Sequence, residues 1–225
     1  MRLETSFDDG GVYDYKICEL LKKYNLSGTF YIPTINDLSE PEIITMSNDF
    51  EIGGHTTTHP RDMKLLSEID QYNEIKDNKD YLEQLIGRKI NSFCYPRGRY
   101  NEITIEQVKK VGYKEARTTI QNSIDKPIDI FRMKTSIHIY PENKEYNKPN
   151  FLKEGKRLFK EAFNNNGYYH IWGHSEEIEK FKMWDELEEL FKYIFTYTKK
   201  QESPEEYFKR YKEDKVIKNL KVVLS

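Results

Sequence analysis

Cysteine is scarce: the 225 residues hold two, Cys18 and Cys94. They are too few for a disulfide framework and too far apart for a CxxC metal knuckle. A charge excess of either sign is also missing. Lys and Arg number 36 against 38 Asp and Glu, leaving a formal net charge of −2 with the two signs interspersed. A nucleic-acid binder carries a basic excess, so no nucleic-acid partner is expected. The same balance gives no hold on an anionic membrane surface. No apolar run approaches the ~18 residues of a membrane span. The opening stretch MRLETSFDDGG has no apolar segment with a small-residue cleavage site, so the expected location is the cytoplasm. No internal repeat or low-complexity linker interrupts the chain. A single domain over 1–225 is therefore expected, long enough to bury a core.

Seventeen Tyr and twelve Phe supply much of the apolar volume. Short apolar runs alternate with longer amphipathic stretches, the pattern of an α/β protein. Strands are expected at Arg2–Phe7, Ser27–Ile32, Phe50–Ile52, Asn91–Tyr95, Tyr113–Thr119, Lys134–Tyr140, Tyr168–Trp172 and Val216–Leu224. Helices are expected at Tyr13–Tyr24, after the capping box Ser39-Glu40-Pro41-Glu42, at Ser67–Ile86 stopped by Gly87, at Glu102–Val111 stopped by Gly112, and at Asn150–Asn166 capped by Asn150. Two more follow, at Trp184–Lys199 and from the cap Ser203 to about Tyr211, so that 184–225 reads as a C-terminal helical extension. Six or seven βα units predict a parallel barrel, closed or distorted. The chemically interesting residues stand just after strands, at the barrel end where active sites form.

Four short stretches carry that chemistry. Asp8-Asp9 ends the first strand in a turn, where two carboxylates can divide tasks, one on a metal and one free as a base; an Asp-Gly turn alone needs no such role. His55 and His59 are four residues apart, a spacing that puts both imidazoles on one side of a helical turn in the loop before Pro60. Two His and one carboxylate make an open three-ligand site, the form of a catalytic metal centre. His174 follows a strand in Ile171-Trp172-Gly173-His174 and titrates near neutral pH, so it can deliver a proton to a leaving amine. Tyr95-Pro96-Arg97-Gly98 turns sharply and can aim a backbone N–H at an oxyanion. Trp172 is a candidate to line a substrate pocket, though a buried aromatic has a plainer reading as core. His138 and His170 lie within strand patterns and are read as structural, and Glu176–Glu179 as a solvated face or a helix start.

In this order the motifs resemble the polysaccharide deacetylase family, the NodB homology domain of carbohydrate esterase family 4. Ser6-Phe7-Asp8-Asp9-Gly10 is similar to its first motif and His55-Thr56-Thr57-Thr58-His59 to its second. Tyr95-Pro96-Arg97-Gly98 is similar to the end of its third, and His174 to the histidine of its last. Gly28-Thr29-Phe30-Tyr31-Ile32 resembles its second strand. The resemblance runs from about Leu3 to Ser175. It implies a distorted (β/α) barrel of seven or eight units. It implies Asp8 as general base, His174 as general acid, and Asp9, His55 and His59 as ligands of one divalent metal ion, zinc first, with cobalt, nickel or iron as alternatives. It also implies the Arg97 N–H in the oxyanion site and an N-acetylated carbohydrate as substrate; Tyr95 and Arg117 are candidates for the residues surrounding that site.

The chain also departs from that family. Many members carry an Arg in the third motif that pairs with the base aspartate; here the position is Cys94, and either Arg97 or Arg117 could replace it from another direction. The fourth motif, whose Asp tunes the acid histidine, has no clear counterpart. Two further readings therefore stay open: a hydrolase of a non-sugar C–N bond on the same scaffold, and a carbohydrate binder that has lost catalysis.

Overall fold

The computed structural model describes residues 1–142 and 150–201. Seven strands, β1 (Arg2–Asp8), β2 (Thr29–Ile32), β3 (Glu51–Gly54), β4 (Ser92–Cys94), β5 (Glu115–Arg117), β6 (Ile137–His138) and β7 (Tyr168–Gly173), form one sheet in the order β5-β4-β3-β2-β1-β7-β6. Every pairing is parallel. Parallel neighbours need crossovers, supplied here by helices α1 (Asp14–Lys23), α2 (Glu40–Ser47), α3 (Glu68–Ile86), α4 (Glu102–Val111) and α5 (Phe151–Asn164). After β7 come α6 (Ser175–Lys180) and α7 (Trp184–Gln201).

The sheet curls toward a barrel. Its two ends are linked by the segment between β5 and β6: Met133 bridges Arg117, and Ser136 N donates to the His170 carbonyl. This distorted closure explains why the strands expected at Tyr113–Thr119 and Lys134–Tyr140 shrink to three and two residues. Side chains alternate across each strand. Phe7, Phe30, Ile52, Phe93, Tyr169 and Ile171 belong to the apolar core. The alternate positions Ser6, Asp8 and His170 are buried polar groups. His170 is held on both sides, by Ser6 Oγ at 2.8 Å and by the Tyr168 hydroxyl at 2.6 Å, and burial drives its pKa well below the usual value. It is a neutral structural histidine, as the sequence reading had it.

Local signals set most helix ends. Gly87 and Gly112 adopt φ of 68° and 99°, the left-handed cap that ends α3 and α4. Asn150 Oδ1 accepts from Lys153 N at 2.9 Å at the start of α5. The helix α7 is part of the core: Leu187, Leu190, Phe191 and Ile194 are fully buried, each contributing about 1.5–3 kcal/mol. The helix expected from Ser203 and the strand expected at Val216–Leu224 lie outside the described residues. Among those described, no helix is long and apolar enough to cross a membrane.

Register decides what meets at the C-terminal edge of the sheet. Phe7 pairs with Phe30 and with Gly173, Ile32 with Gly54, Gly54 with Phe93, and Cys94 with Arg117. The residues that follow these positions, Asp8, Asp9, His55, Tyr95 and His174, are thereby brought to one rim.

Candidate active site

Asp8 sits at the centre of the rim, 2% exposed. The fully buried Arg117 donates from Nη2 to both of its carboxylate oxygens. The Cys94 thiol approaches Asp8 Oδ2 at 3.6 Å. Burial alone would favour a protonated Asp8; Arg117 reverses this and holds its pKa below the ordinary carboxylate value. The guanidinium lies 5.1 Å from the Tyr31 ring and 4.9 Å from the Trp172 ring, which fixes it from both sides. Of the two arginines left open by the sequence, Arg117 makes this pair.

Asp9 turns the opposite way. Its φ of 77° and that of 64° at Gly10 swing the carboxylate off the strand direction. His55 Nε2 and His59 Nε2 stand 3.3 Å and 3.4 Å from one oxygen, Asp9 Oδ1. That oxygen is buried and accepts no hydrogen bond. Two ligands about 2.0–2.1 Å from one ion at a tetrahedral angle would be about 3.3–3.4 Å apart, so the three groups fit a divalent metal of the zinc type.

The helical turn expected across His55–His59 is not formed. The rings converge because Thr56 and His59 adopt φ of 70° and 51°, a bend clamped from outside. The Glu74 carboxylate accepts from Thr57 N and Thr58 N, both at 2.9 Å, and from Thr58 Oγ1 at 2.7 Å. One helical turn on, the buried Asn78 accepts from His55 N at 2.9 Å and donates to the Ile32 carbonyl at 3.0 Å. His55 Nδ1 lies 2.8 Å from the Cys94 carbonyl, so Nδ1 carries the proton and Nε2 is free to coordinate. Glu74 and Asn78 were not singled out from sequence. Their i,i+4 spacing on the face of α3 below the loop was the available signal.

On the other wall, His174 Nε2 lies 3.6 Å from Asp9 Oδ2 and Nδ1 lies 2.9 Å from Glu177 Oε2. Burial lowers the His174 pKa, but Glu177, Asp8 and Asp9 outweigh it and the net shift is upward. Glu177 itself falls to about 2: His138 and His174 override the effect of its burial. The Glu176–Glu179 stretch starts the helix α6, one of the two readings its sequence allowed, and Glu177 turns onto the histidine. His138, read from sequence as structural, sets its Nε2 3.3 Å from the same Glu177 oxygen. Trp172 stacks on His138 with ring centroids 3.9 Å apart and planes 10° from parallel.

These residues surround a cleft of about 430 Å³ lined by Asp8, Asp9, His55, His59, Trp172 and His174, with Arg97, Asp37, Thr119, Glu176 and Glu177 toward its edges. Arg97 has φ of 56° in the turn Pro96–Gly98 and is exposed at the rim. The Tyr95 side chain faces away from the cleft: it is fully buried, its hydroxyl donates to the Phe131 carbonyl at 2.9 Å, and its ring stacks on Tyr100 at 4.3 Å. Tyr95 therefore anchors the turn and does not reach an oxyanion with its side chain.

The absence of a Cβ at Gly11 leaves room for the Glu176 carboxylate, which a side chain there would have to displace. Behind it, Asp14 at the start of α1 is fully buried. Burial first, and then Glu176, push its pKa well above the usual 3.8, and neither carboxylate oxygen has a hydrogen-bond partner among the described residues. The unfolded chain ionises this group near pH 4 and the folded one does not. Its contribution to stability is therefore full below about pH 4 and is lost as pH rises toward neutrality. The Asp14→Asn protein is expected to gain stability relative to wild type between pH 4 and 7 in urea titrations. A stability difference that stays constant over that range would show Asp14 ionised in the fold.

Residues 2–116, just over half of the chain, match the sequence profile of the family described as polysaccharide deacetylase. The chain belongs to the polysaccharide deacetylase family. It is 30% identical over 121 residues to YxkH of Bacillus subtilis (strain 168), covering 51% of this chain and 43% of that protein; it thus spans less than half the length of this relative. The Streptococcus pyogenes deacetylase PplD, solved in complex with acetate, superposes with a TM-score of 0.54 at 26% identity, covering 58% of this chain and 62% of PplD. The family 4 carbohydrate esterase from Streptomyces lividans, also in complex with acetate, superposes with a TM-score of 0.60 at 15% identity, over 87% and 86% of the two chains; at that identity it shows the fold, the seven-stranded parallel (β/α) half-barrel of this deacetylase family. The matched stretch holds Asp8, Asp9, His55 and His59 and stops one residue before Arg117. Arg117, His138, His174 and Glu177 are joined to it by the fold.

Proposed function

We propose that this member of the polysaccharide deacetylase family is a metal-dependent hydrolase that removes the acetyl group from N-acetylated sugars, with N-acetylglucosamine oligomers as the substrate class and acetate as a product. The observation that carries this reading is the grouping of a base, a three-ligand metal set and an acid around one cleft: Asp8 held ionised by Arg117, the Asp9, His55 and His59 set, and His174 backed by Glu177. An ion of the zinc type held by Asp9, His55 and His59, with cobalt, nickel or iron as alternatives, would supply Lewis-acid polarisation of the acetyl carbonyl. Asp8 accepts the proton of the attacking water. The Arg97 N–H, in the turn at the cleft, would donate to the developing oxyanion. His174, facing Asp9 across the cleft, gives its proton to the departing sugar nitrogen, without which an amine is a poor leaving group. Trp172 offers an apolar wall against which the acetyl methyl packs.

The test is acetate release from N-acetylglucosamine oligomers by the chelator-stripped protein, repeated after adding Zn²⁺ or Co²⁺, with His59→Ala alongside. The expected result is no release when stripped, recovery with one equivalent of metal, and no recovery in His59→Ala. Release from simple amides but not from the sugars would move the reading to a non-sugar C–N hydrolase. Metal uptake and sugar binding with no release from either would make the protein a binder.

A further inference from the structure

A second group of metal donors lies outside the three residues assigned above. His138 on β6, His174 after β7 and Glu177 on α6 each offer one ligand atom, all within 4.8 Å of one another. His174 Nδ1 and His138 Nε2 address the same Glu177 oxygen, at 2.9 Å and 3.3 Å. The arrangement repeats that of the first site, where two imidazole nitrogens address Asp9 Oδ1 at 3.3 Å and 3.4 Å. The two histidine rings stand 5.7 Å apart at 82° to each other. His138 is held flat against Trp172, so its nitrogen is aimed before any ion arrives. His174 and Glu177 line the cleft, which opens a path from solvent.

We infer that His138, His174 and Glu177 form a second, weaker metal site, and that an ion bound there switches off proton delivery. Two imidazoles and one carboxylate select zinc-like or nickel-like ions over magnesium and calcium, which prefer all-oxygen shells. The site is weaker than the first because the ion must displace the contacts that Glu177 makes with both rings, whereas Asp9 Oδ1 accepts no hydrogen bond. An ion on His174 Nδ1 takes the nitrogen that the imidazolium must protonate, so the ring can no longer act as a cationic acid. The consequence is activation by a first equivalent of metal and inhibition by a second. Occupancy can be counted whether or not any sugar is hydrolysed, so this inference and the proposed deacetylation fail separately.

The experiment is equilibrium dialysis of the full chain against Zn²⁺, with wild type, His138→Asn, Glu177→Gln and His59→Asn compared. Wild type is expected to bind two ions per chain at saturation. His138→Asn and Glu177→Gln should each bind one with unchanged affinity and weaken the second about tenfold or more, since even outer-shell changes around a metal cost 10–100-fold. His59→Asn should keep the second ion and lose the first. Should His138→Asn not fold, Glu177→Gln decides alone. In the acetate assay, the fall in rate at excess Zn²⁺ should vanish in His138→Asn. Saturation of wild type at one ion overturns the inference, as does full retention of two ions by both His138→Asn and Glu177→Gln.

Discussion

Asp8→Asn is expected to lower the rate of acetate release by about 10²–10⁴-fold, the usual contribution of a positioned general base, while uptake of the first metal ion is unchanged. The substitution nearly preserves shape and keeps one oxygen for Arg117, but it cannot accept a proton. Asp9, which supplies the carboxylate ligand, is untouched. Rates measured at saturating substrate, with zinc content determined on the same samples, separate the two functions of the adjacent carboxylates. A fall of less than about tenfold would place the base elsewhere. Loss of zinc together with activity would mean that Asp8 and not Asp9 is the ligand.

The largest expected effect on stability is that of Arg117→Met. It leaves Asp8 2% exposed and without its counter-charge, so that the carboxylate must either stay ionised and unpaired or take up a proton. Breaking a buried pair from one side costs about 3–5 kcal/mol, which for a domain of this size lowers Tm by about 6–20 °C. Asp8→Asn combined with Arg117→Met removes both charges and should recover most of that loss, although it remains inactive. The comparison of the singles with the double isolates the coupling. If Arg117→Met alone costs under about 1 kcal/mol, water reaches Asp8 and the pair is not the dry contact described.

The helices and most of the strands were legible because their signals are local. Gly112 ends α4 at the residue that sequence alone indicates, and the capping box at Ser39 and the Asn150 cap work the same way. The short strands β5 and β6 were overestimated because an apolar run does not reveal where a curling sheet stops pairing. The grouping of Asp9 with His55 and His59 was legible from Asp8-Asp9 and His55-x-x-x-His59. The reason given for its convergence was not, since the helical turn is replaced by left-handed residues that α3 clamps through Glu74 and Asn78. Those two lie 15 or more residues from the histidines they hold, and nothing in the loop itself calls for them.

The sequence by itself determined the parallel α/β class, the family, and which residue types could serve as base, ligands and acid, because these depend on short-range spacing and on side-chain chemistry. Tertiary structure decided which partners these groups have. Arg117 pairs with Asp8 because β5 lies beside β4 in a register that sets Arg117 opposite Cys94, so the arginine absent from one strand arrives from its neighbour. Glu177 and His138 flank His174 because β6 pairs with β7 and α6 folds back over the rim. Charges that lie tens of residues apart in sequence meet only when sheet register and crossovers are fixed, and burial then makes each pairing strong enough to set which groups carry protons.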